Sequence, residues 1–426
     1  MQDNYLSTDV LIVGAGPAGC AAAIDLCRKG VNVTIIDKAA FPRDKCCGDG
    51  LTTDALRILD ELGLRPESIA SWNTVTDAVI YSPKRKKTTL PLPKGKGQFA
   101  AIAPRIELDH QLLKLACKEG ANLLCPLGFL DIEQLDDHVK VKTTDDTDIL
   151  ARYVIAADGM WSSVRKATNN GIERYRGDWH AFRQYFSNTG PNAQHLTVWF
   201  ETDLLPGYVW LFPLPGQRAN VGFGILRDHN HRVQDMGRLW KDILTRPHIN
   251  EVLGAQAIPE GTHKAWPIPT RMNDLKVSKN RVLFAGDAIG IADPMTGEGI
   301  AQALLSGRLA ALALLEAGPF DPSVAESNYQ SSLDKSLARD HKFAGQLQSF
   351  LTSSLATEMA IKASDINGWT RRNFARWLFE DYPRALIFTP DRWKPGALTS
   401  DGAYKVKSRN VSAQDEEYAF TGEQNE

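Results

Sequence analysis

The sequence predicts an α/β protein, α+β overall, in which a doubly wound dinucleotide-binding domain carries an inserted antiparallel sheet and ends in a helical region. Three observations predict it. Residues 9–38 order an apolar strand, a glycine-rich turn, a helix and a second strand that ends in an acid. Two more apolar strands, in 151–165 and 281–308, each run into a Gly/Asp turn. Between them, residues 176–275 alternate short strand patterns with turns. A length of 426 residues suits two or three domains.

In the first unit, Val10-Leu11-Ile12-Val13 leads into Gly14-Ala15-Gly16-Pro17-Ala18-Gly19, a GxGxxG fingerprint. Gly14 permits the tight turn, Gly16 the approach of a pyrophosphate to the backbone, and Gly19 the close packing of helix on strand. The helix N-terminus offers free N–H groups and partial positive charge to phosphates. A strand from Val31 to Ile36 then delivers Asp37, placed to bind ribose hydroxyls. The whole is a Rossmann-type unit.

Composition excludes several classes. A net charge of −2 gives no overall attraction to nucleic acid. Six cysteines (20, 27, 46, 47, 117 and 125) have no framework spacing, and nine histidines form no metal set. Free thiols and no signal-like opening point to a cytoplasmic protein, and no apolar run long enough to span a bilayer is expected.

The strand ending in Ala157-Asp158-Gly159, then Gly286-Asp287 and Gly297-Glu298-Gly299 before a helix, follow the order found in the para-hydroxybenzoate hydroxylase-like flavoproteins. The chain resembles that group of aromatic hydroxylases, flavin halogenases and geranylgeranyl reductases. Within it, two stretches resemble the geranylgeranyl reductases. Lys45-Cys46-Cys47-Gly48-Asp49 is similar to their Lys-x-Cys-Gly-Gly motif, with Asp49 in place of the second glycine, so the local backbone is expected to differ. Tyr208-Val209-Trp210-Leu211-Phe212-Pro213, with the glycine strand after it, is similar to their Tyr-x-Trp-x-Phe-Pro element. The hydroxylases' Gly-Asp-Ala-Ala-His reads Gly-Asp-Ala-Ile-Gly here (286–290), and the halogenases' Trp-x-Trp-x-Ile-Pro differs at Tyr208 and Phe212.

The resemblance implies a bound FAD. Its contacts would come from Gly14, Ala15, Gly16, Pro17, Ala18, Gly19, Asp37, Lys38, Arg43, Cys47, Gly48, Asp49, Arg105, Asp158, Gly286, Asp287, Gly297, Gly299 and Ile300. Asp287 would bind the ribityl chain, and Arg105, at the start of a helix, would lie against the cofactor. The helix opening near Gly299 would point its N-terminus at the flavin, where reduction builds negative charge. No second GxGxxG unit appears, so electrons would come from a transiently bound NAD(P)H or a ferredoxin-type partner protein.

The activity implied is reduction of isolated C=C bonds in an isoprenoid chain; the alternative is an FAD monooxygenase or halogenase acting on a small aromatic. An unpolarised alkene needs a proton with the hydride, and aromatic faces stabilise the resulting cationic character. Alternation puts Tyr208, Trp210 and Phe212 on one strand face. With Cys47 as proton donor or gate, these are the candidate catalytic residues. Ordinary core packing is the competing reading for each.

The flavin domain is assigned residues 1–72, 98–175 and 276–330, the substrate sheet 73–97 and 176–275, and the helical region 331–426. Expected substrate-domain strands are Leu196–Glu201, Tyr208–Leu214, Arg218–Ile225 and Thr262–Ile268. Lys84-Arg85-Lys86-Lys87, with Lys94 and Lys96, reads as a solvated hairpin tip or a contact for anionic lipid headgroups at the inner face of a membrane. The 369–379 segment alternates aromatics with arginines, and reads as a packing helix, a tunnel cover or a membrane contact. The polar tail after Ser400 is expected to be disordered.

Overall fold

The computed structural model describes residues 5–93, 99–227, 229–393 and 398. Lys94, Lys96 and the tail after Ser400 lie outside them.

The first sheet is built on a parallel core. Its strand order is Val282–Phe284, Asp148–Ala156, Tyr5–Val13, Val33–Ile36, Asn122–Leu124, with Ser278–Lys279 antiparallel on one edge. Strands buried on both faces read as unbroken apolar runs, and Leu11, Ile12, Ile35 and Ile155 are fully enclosed. A hairpin of Phe129–Gln134 and Val139–Thr143 extends the Asp148–Ala156 strand. Two helices cover the site-forming side of this sheet, Pro17–Arg28 and Ile300–Ala317. They touch backbone to backbone, because a Cβ on Gly307 would collide with the Ala18 carbonyl. The Ile300–Ala317 helix is long and apolar enough to span a bilayer, against expectation; it is mostly buried in this core instead.

The second sheet has seven strands, in the order Ile258–Ile268, Trp179–Ser187, Arg218–Leu226, Tyr208–Leu214, Leu196–Trp199, Asp77–Tyr81, Lys87–Pro91. Tyr208–Leu214 has the expected bounds. The sequence reading missed Trp179–Ser187, whose run of mostly buried residues on both faces shows no clean alternation. The sheet is antiparallel except at one joint, where Leu196–Trp199 lies parallel to Asp77–Tyr81. Two separate excursions of the chain meet there, so no hairpin sets the direction.

The seven-stranded sheet has two different faces. Val209, Leu211, Val221 and Phe223 pack under the Met236–Thr245 helix around Trp240. Trp210 and Phe212 point the other way, toward Ile361, Ala375 and Phe379 of the C-terminal helices Ser354–Ser364 and Gly368–Leu378 and the residue after them.

Candidate active site

One cavity of about 710 Å3 runs between the two sheets. One end is lined by Gly14, Gly16, Pro17, Ala18, Asp37, Lys38, Arg43, Asp158, Gly286 and Asp287, the other by Tyr208, Trp210, Phe212, Trp266 and Glu298, with Cys47, Gly48, Arg105, Gly297, Gly299 and Ile300 between. Nearly all the expected cofactor residues and the three rings are thus brought to one space.

The dinucleotide end is made of backbone. Gly14 has φ +106, and a Cβ there would collide with the Ala157 carbonyl. Ala15 is buried; its N–H donates to Asp37 Oδ2 at 2.8 Å, and Ala39 N–H holds Oδ1 at 2.9 Å. Gly19 packs on the turn, where a Cβ would meet the Gly14 carbonyl. Ala15 and Gly19 therefore support the cradle without lining it. The Pro17–Arg28 and Ile300–Ala317 helices begin at Gly16 and Gly299 with no side-chain cap. Two sets of free N–H groups thus face one cavity.

Side chains fix the rim. Asp109, fully buried, takes the Arg105 fork at 2.7 and 2.8 Å and Arg43 at 3.1 Å, holding both guanidiniums beside the cradle. Lys45 pairs with Asp287 at 2.8 Å. Burial pushes the Asp287 carboxyl up, but the Lys45 and Arg105 charges bring it below its ordinary range. Asp44 ties the 41–48 loop to the second sheet through Arg183 and Lys264, each at 2.6 Å. Asp158 Oδ1 is buried with no hydrogen-bond partner among the described residues.

These features fit FAD: a glycine cradle no side chain can fill, two uncapped helix N-termini for anionic groups, and an unpartnered acceptor at Asp158.

Asp49, expected to touch the cofactor, does not line the cavity. Its φ of +67 turns the side chain away from the cavity into a sealed polar pocket. There Tyr185 OH donates to Oδ2 at 2.5 Å, Asn220 Nδ2 to Oδ2 at 2.8 Å, and Arg105 N–H to Oδ1 at 3.2 Å. Asn220 also donates to the Cys47 carbonyl at 2.8 Å and accepts from Trp210 Nε1 at 3.1 Å. The aspartate in place of glycine therefore joins the Cys47 turn to the aromatic strand. Burial raises its carboxyl to about 6 despite those donors.

Tyr208, Trp210 and Phe212 follow one another with ring centroids 6.1 and 6.2 Å apart. Glycines make room for them. A Cβ on Gly222 would strike the Trp210 ring, and one on Gly48 would lie 3.1 Å from Phe212 Cε2. Tyr208 OH donates to the Thr296 carbonyl, fixing the ring to the turn that carries Glu298.

Sequence reasoning missed Glu298, though it stood in view between two glycines at a helix start. The Cβ position of Gly50 lies 3.1 Å from Phe212 Cε2 and 3.5 Å from Glu298 Oε1, so the ring edge and the carboxyl both border Gly50. Its carboxyl has no hydrogen-bond or ion-pair partner among the described residues. Burial, then the nearby Glu380 charge, raise it to about 8, with Arg384 partly opposing. Glu380 and Arg384 come from the C-terminal region. Thr52 and Gln302 hold Glu380 at 2.6 and 2.7 Å, and Arg384 pairs with Asp293 at 2.9 Å. Burial raises the Cys47 thiol, which also lines the cavity, to about 11.

Residues 7–316 match the FAD binding domain family. The chain is 32% identical over 326 residues to a menaquinone reductase of Mycobacterium tuberculosis (strain H37Rv), covering 72% of this chain and 76% of that one. It is 27% identical over 415 residues to digeranylgeranylglycerophospholipid reductase 2 of Methanosphaera stadtmanae, covering 93% and 99%. The crystal structure of a geranylgeranyl bacteriochlorophyll reductase-like protein from Thermoplasma acidophilum shares the fold, with a TM-score of 0.73, 23% identity, and 91% of this chain and 100% of that one covered.

Proposed function

Because the chain belongs to the geranylgeranyl reductase family of FAD-dependent oxidoreductases, we propose that it reduces isolated C=C bonds of an isoprenoid chain borne by a lipid or quinone, with Glu298 as proton donor. The observation that carries the proposal is the meeting, in one cavity, of a dinucleotide cradle, a face of three rings and an unpaired acid. The named substrates of the relatives, menaquinone and a digeranylgeranyl glycerophospholipid, both carry such chains.

FAD, when bound and reduced, supplies the hydride. The chain's own residues do the rest. The walls around Trp210 and Phe212 bind the apolar chain and exclude water. Glu298, neutral below about pH 8, gives its proton to one alkene carbon and is left as a carboxylate. Positive charge then develops on the neighbouring, more substituted carbon. The ring faces stabilise that charge by about 0.5–2 kcal/mol each where well placed. The second C–H bond would be completed by the hydride that bound, reduced FAD would supply. Cys47, a weaker acid than Glu298, serves as a wall beside the cofactor. NAD(P)H or a ferredoxin-type donor would supply the electrons.

The test is an anaerobic incubation of the FAD-loaded protein, chemically reduced to bypass the donor, with menaquinone or a digeranylgeranyl glycerophospholipid. Products that stay heavier by two hydrogens per reduced bond after air has returned any quinol to quinone support the reading. Products that gain oxygen when air is admitted, or a halogen when halide is present, replace it with the monooxygenase or halogenase alternative.

A further inference from the structure

The Ser354–Ser364 helix is amphipathic the wrong way round for a soluble protein. Its inner side buries Thr357, Glu358 and Ser364 alongside Ile361, while its outer side shows Leu355 and Met359. Glu358 is 3% exposed; Leu355 is 67%, Met359 60%, and Ile366, just past the helix end, 71%. Leu355, Met359 and the exposed Ala363, spaced by four, lie along one stripe of the helix, and Ile366 follows just past its end. Trp369, half-exposed, lies in the first turn of the next helix. A water-facing helix gains nothing from this arrangement.

The buried polar side has a purpose. Glu358 accepts the Lys84 backbone N–H at 3.3 Å, and Asp365 pairs with Lys86 Nζ at 2.9 Å and Arg371 at 3.0 Å. These contacts fix the helix against the hairpin tip 84–87, whose four cations are all exposed. The side chains of Lys84, Arg85 and Lys87 form no ion pair among the described residues. Residues 84–87 and 354–372 together carry seven cations and two carboxylates, on a chain whose net charge is −2. The apolar stripe and this predominantly basic hairpin tip therefore lie on elements packed against each other.

We propose that this surface docks on an anionic lipid bilayer, with Leu355, Met359, Ile366 and Trp369 in the acyl–headgroup boundary and Lys84, Arg85 and Lys87 on the headgroups. The two features match what an interfacial helix requires: apolar area to bury and cations for anionic lipid. A protein partner or a second copy of the chain would match the stripe, but would not call for a predominantly basic tip beside it. Docking also brings the site near the membrane, since Ile361, on the inner side of the same helix, belongs to the apolar cluster that includes Trp210 and Phe212.

The experiment is flotation of the full FAD-loaded chain with phosphatidylglycerol/phosphatidylcholine vesicles and with phosphatidylcholine alone. It needs no turnover, so it stands or falls separately from the reductase reading. We expect binding to the anionic vesicles that weakens with salt. A Lys84→Glu/Arg85→Glu/Lys87→Glu variant should lose at least about a hundredfold in partitioning, at roughly fivefold per cation neutralised. Leu355→Ser/Met359→Ser/Ile366→Ser should also release the protein, with FAD content and melting temperature unchanged. Absence of vesicle binding, equal binding to neutral vesicles, or indifference to both variants overturns the proposal. So does a concentration-dependent dimer that the serine variant abolishes while vesicle binding stays absent, which would make the stripe an interface between copies.

Discussion

The two ends of the cavity are built by different means. The dinucleotide end is made of main chain: glycine turns, two uncapped helix starts and a carboxylate held by backbone N–H groups, most of it within residues 9–38 and 286–303. The substrate end is made of side chains that meet from far apart. Thr52, Asp293, Gln302, Glu380 and Arg384 form one buried polar group whose charges reach Glu298. A backbone site tolerates changes in the side chains around it and fails when its geometry fails. A side-chain site can be retuned one residue at a time, so chemistry and substrate can change while the cofactor stays.

Gly14→Val breaks the first end and has the largest expected effect. The new Cβ meets the Ala157 carbonyl, and φ +106 is strained for any β-branched residue. The variant should purify without FAD absorbance and without activity. A yellow, active variant would show that the turn is not the cradle.

Glu298→Gln leaves the cradle intact and removes the acid. FAD content should be unchanged, while kcat falls about 10²–10⁴-fold, the range for a general acid. In the wild type, kcat should fall above about pH 8 as the carboxyl ionises. Stability follows the same proton. The group's pKa is higher folded than its ordinary 4.5, so its contribution is full below that value and lost as pH rises through about 8. The glutamine variant lacks this loss, and should gain on the wild type in melting temperature at pH 9. Unchanged kcat would return the donor role to Cys47 or to water.

Asp49→Asn tests the link between the two ends. Asparagine must turn an NH₂ toward one of three donors, Tyr185 OH, Asn220 Nδ2 or Arg105 N–H. An unsatisfied buried group costs about 1–3 kcal/mol. The wild-type carboxyl, raised to about 6, gives stability that is full below 3.8 and lost as pH rises through 6. The advantage of wild type over variant should therefore be greatest near pH 4 and shrink by pH 7. Urea unfolding at the two pH values checks this, and a constant difference would remove Asp49 as the titrating group.

The same division decides what could be read from the sequence. The cradle was legible because its signals are local: Gly14 to Asp37 form one continuous supersecondary unit. The aromatic strand was legible because alternation alone puts residues 208, 210 and 212 on one face. Glu298 was visible as a letter but not as an acid of about 8, since burial and a glutamate from the C-terminal region set that value. Asp49 was mistaken for a cofactor contact because its motif position suggested one, while its direction depends on a left-handed backbone and on Tyr185 and Asn220. Trp179–Ser187 was missed because a strand enclosed on both faces loses its period.

Phe212→Leu has the smallest expected effect and separates packing from chemistry at the substrate end. Leucine keeps most of the apolar contact with the Gly48 and Gly50 backbone but removes the aromatic ring from the cavity that Glu298 also lines. If the ring only packs, KM for the isoprenoid substrate rises and kcat is unchanged, since binding lost equally from substrate and transition state leaves kcat alone. If the ring stabilises developing positive charge, KM holds and kcat falls by about two- to thirtyfold, the equivalent of 0.5–2 kcal/mol. We expect the second pattern. The same substitution in Glu298→Gln should then cost less than it does in the wild type, because a charge that is no longer created by protonation offers the ring nothing to stabilise.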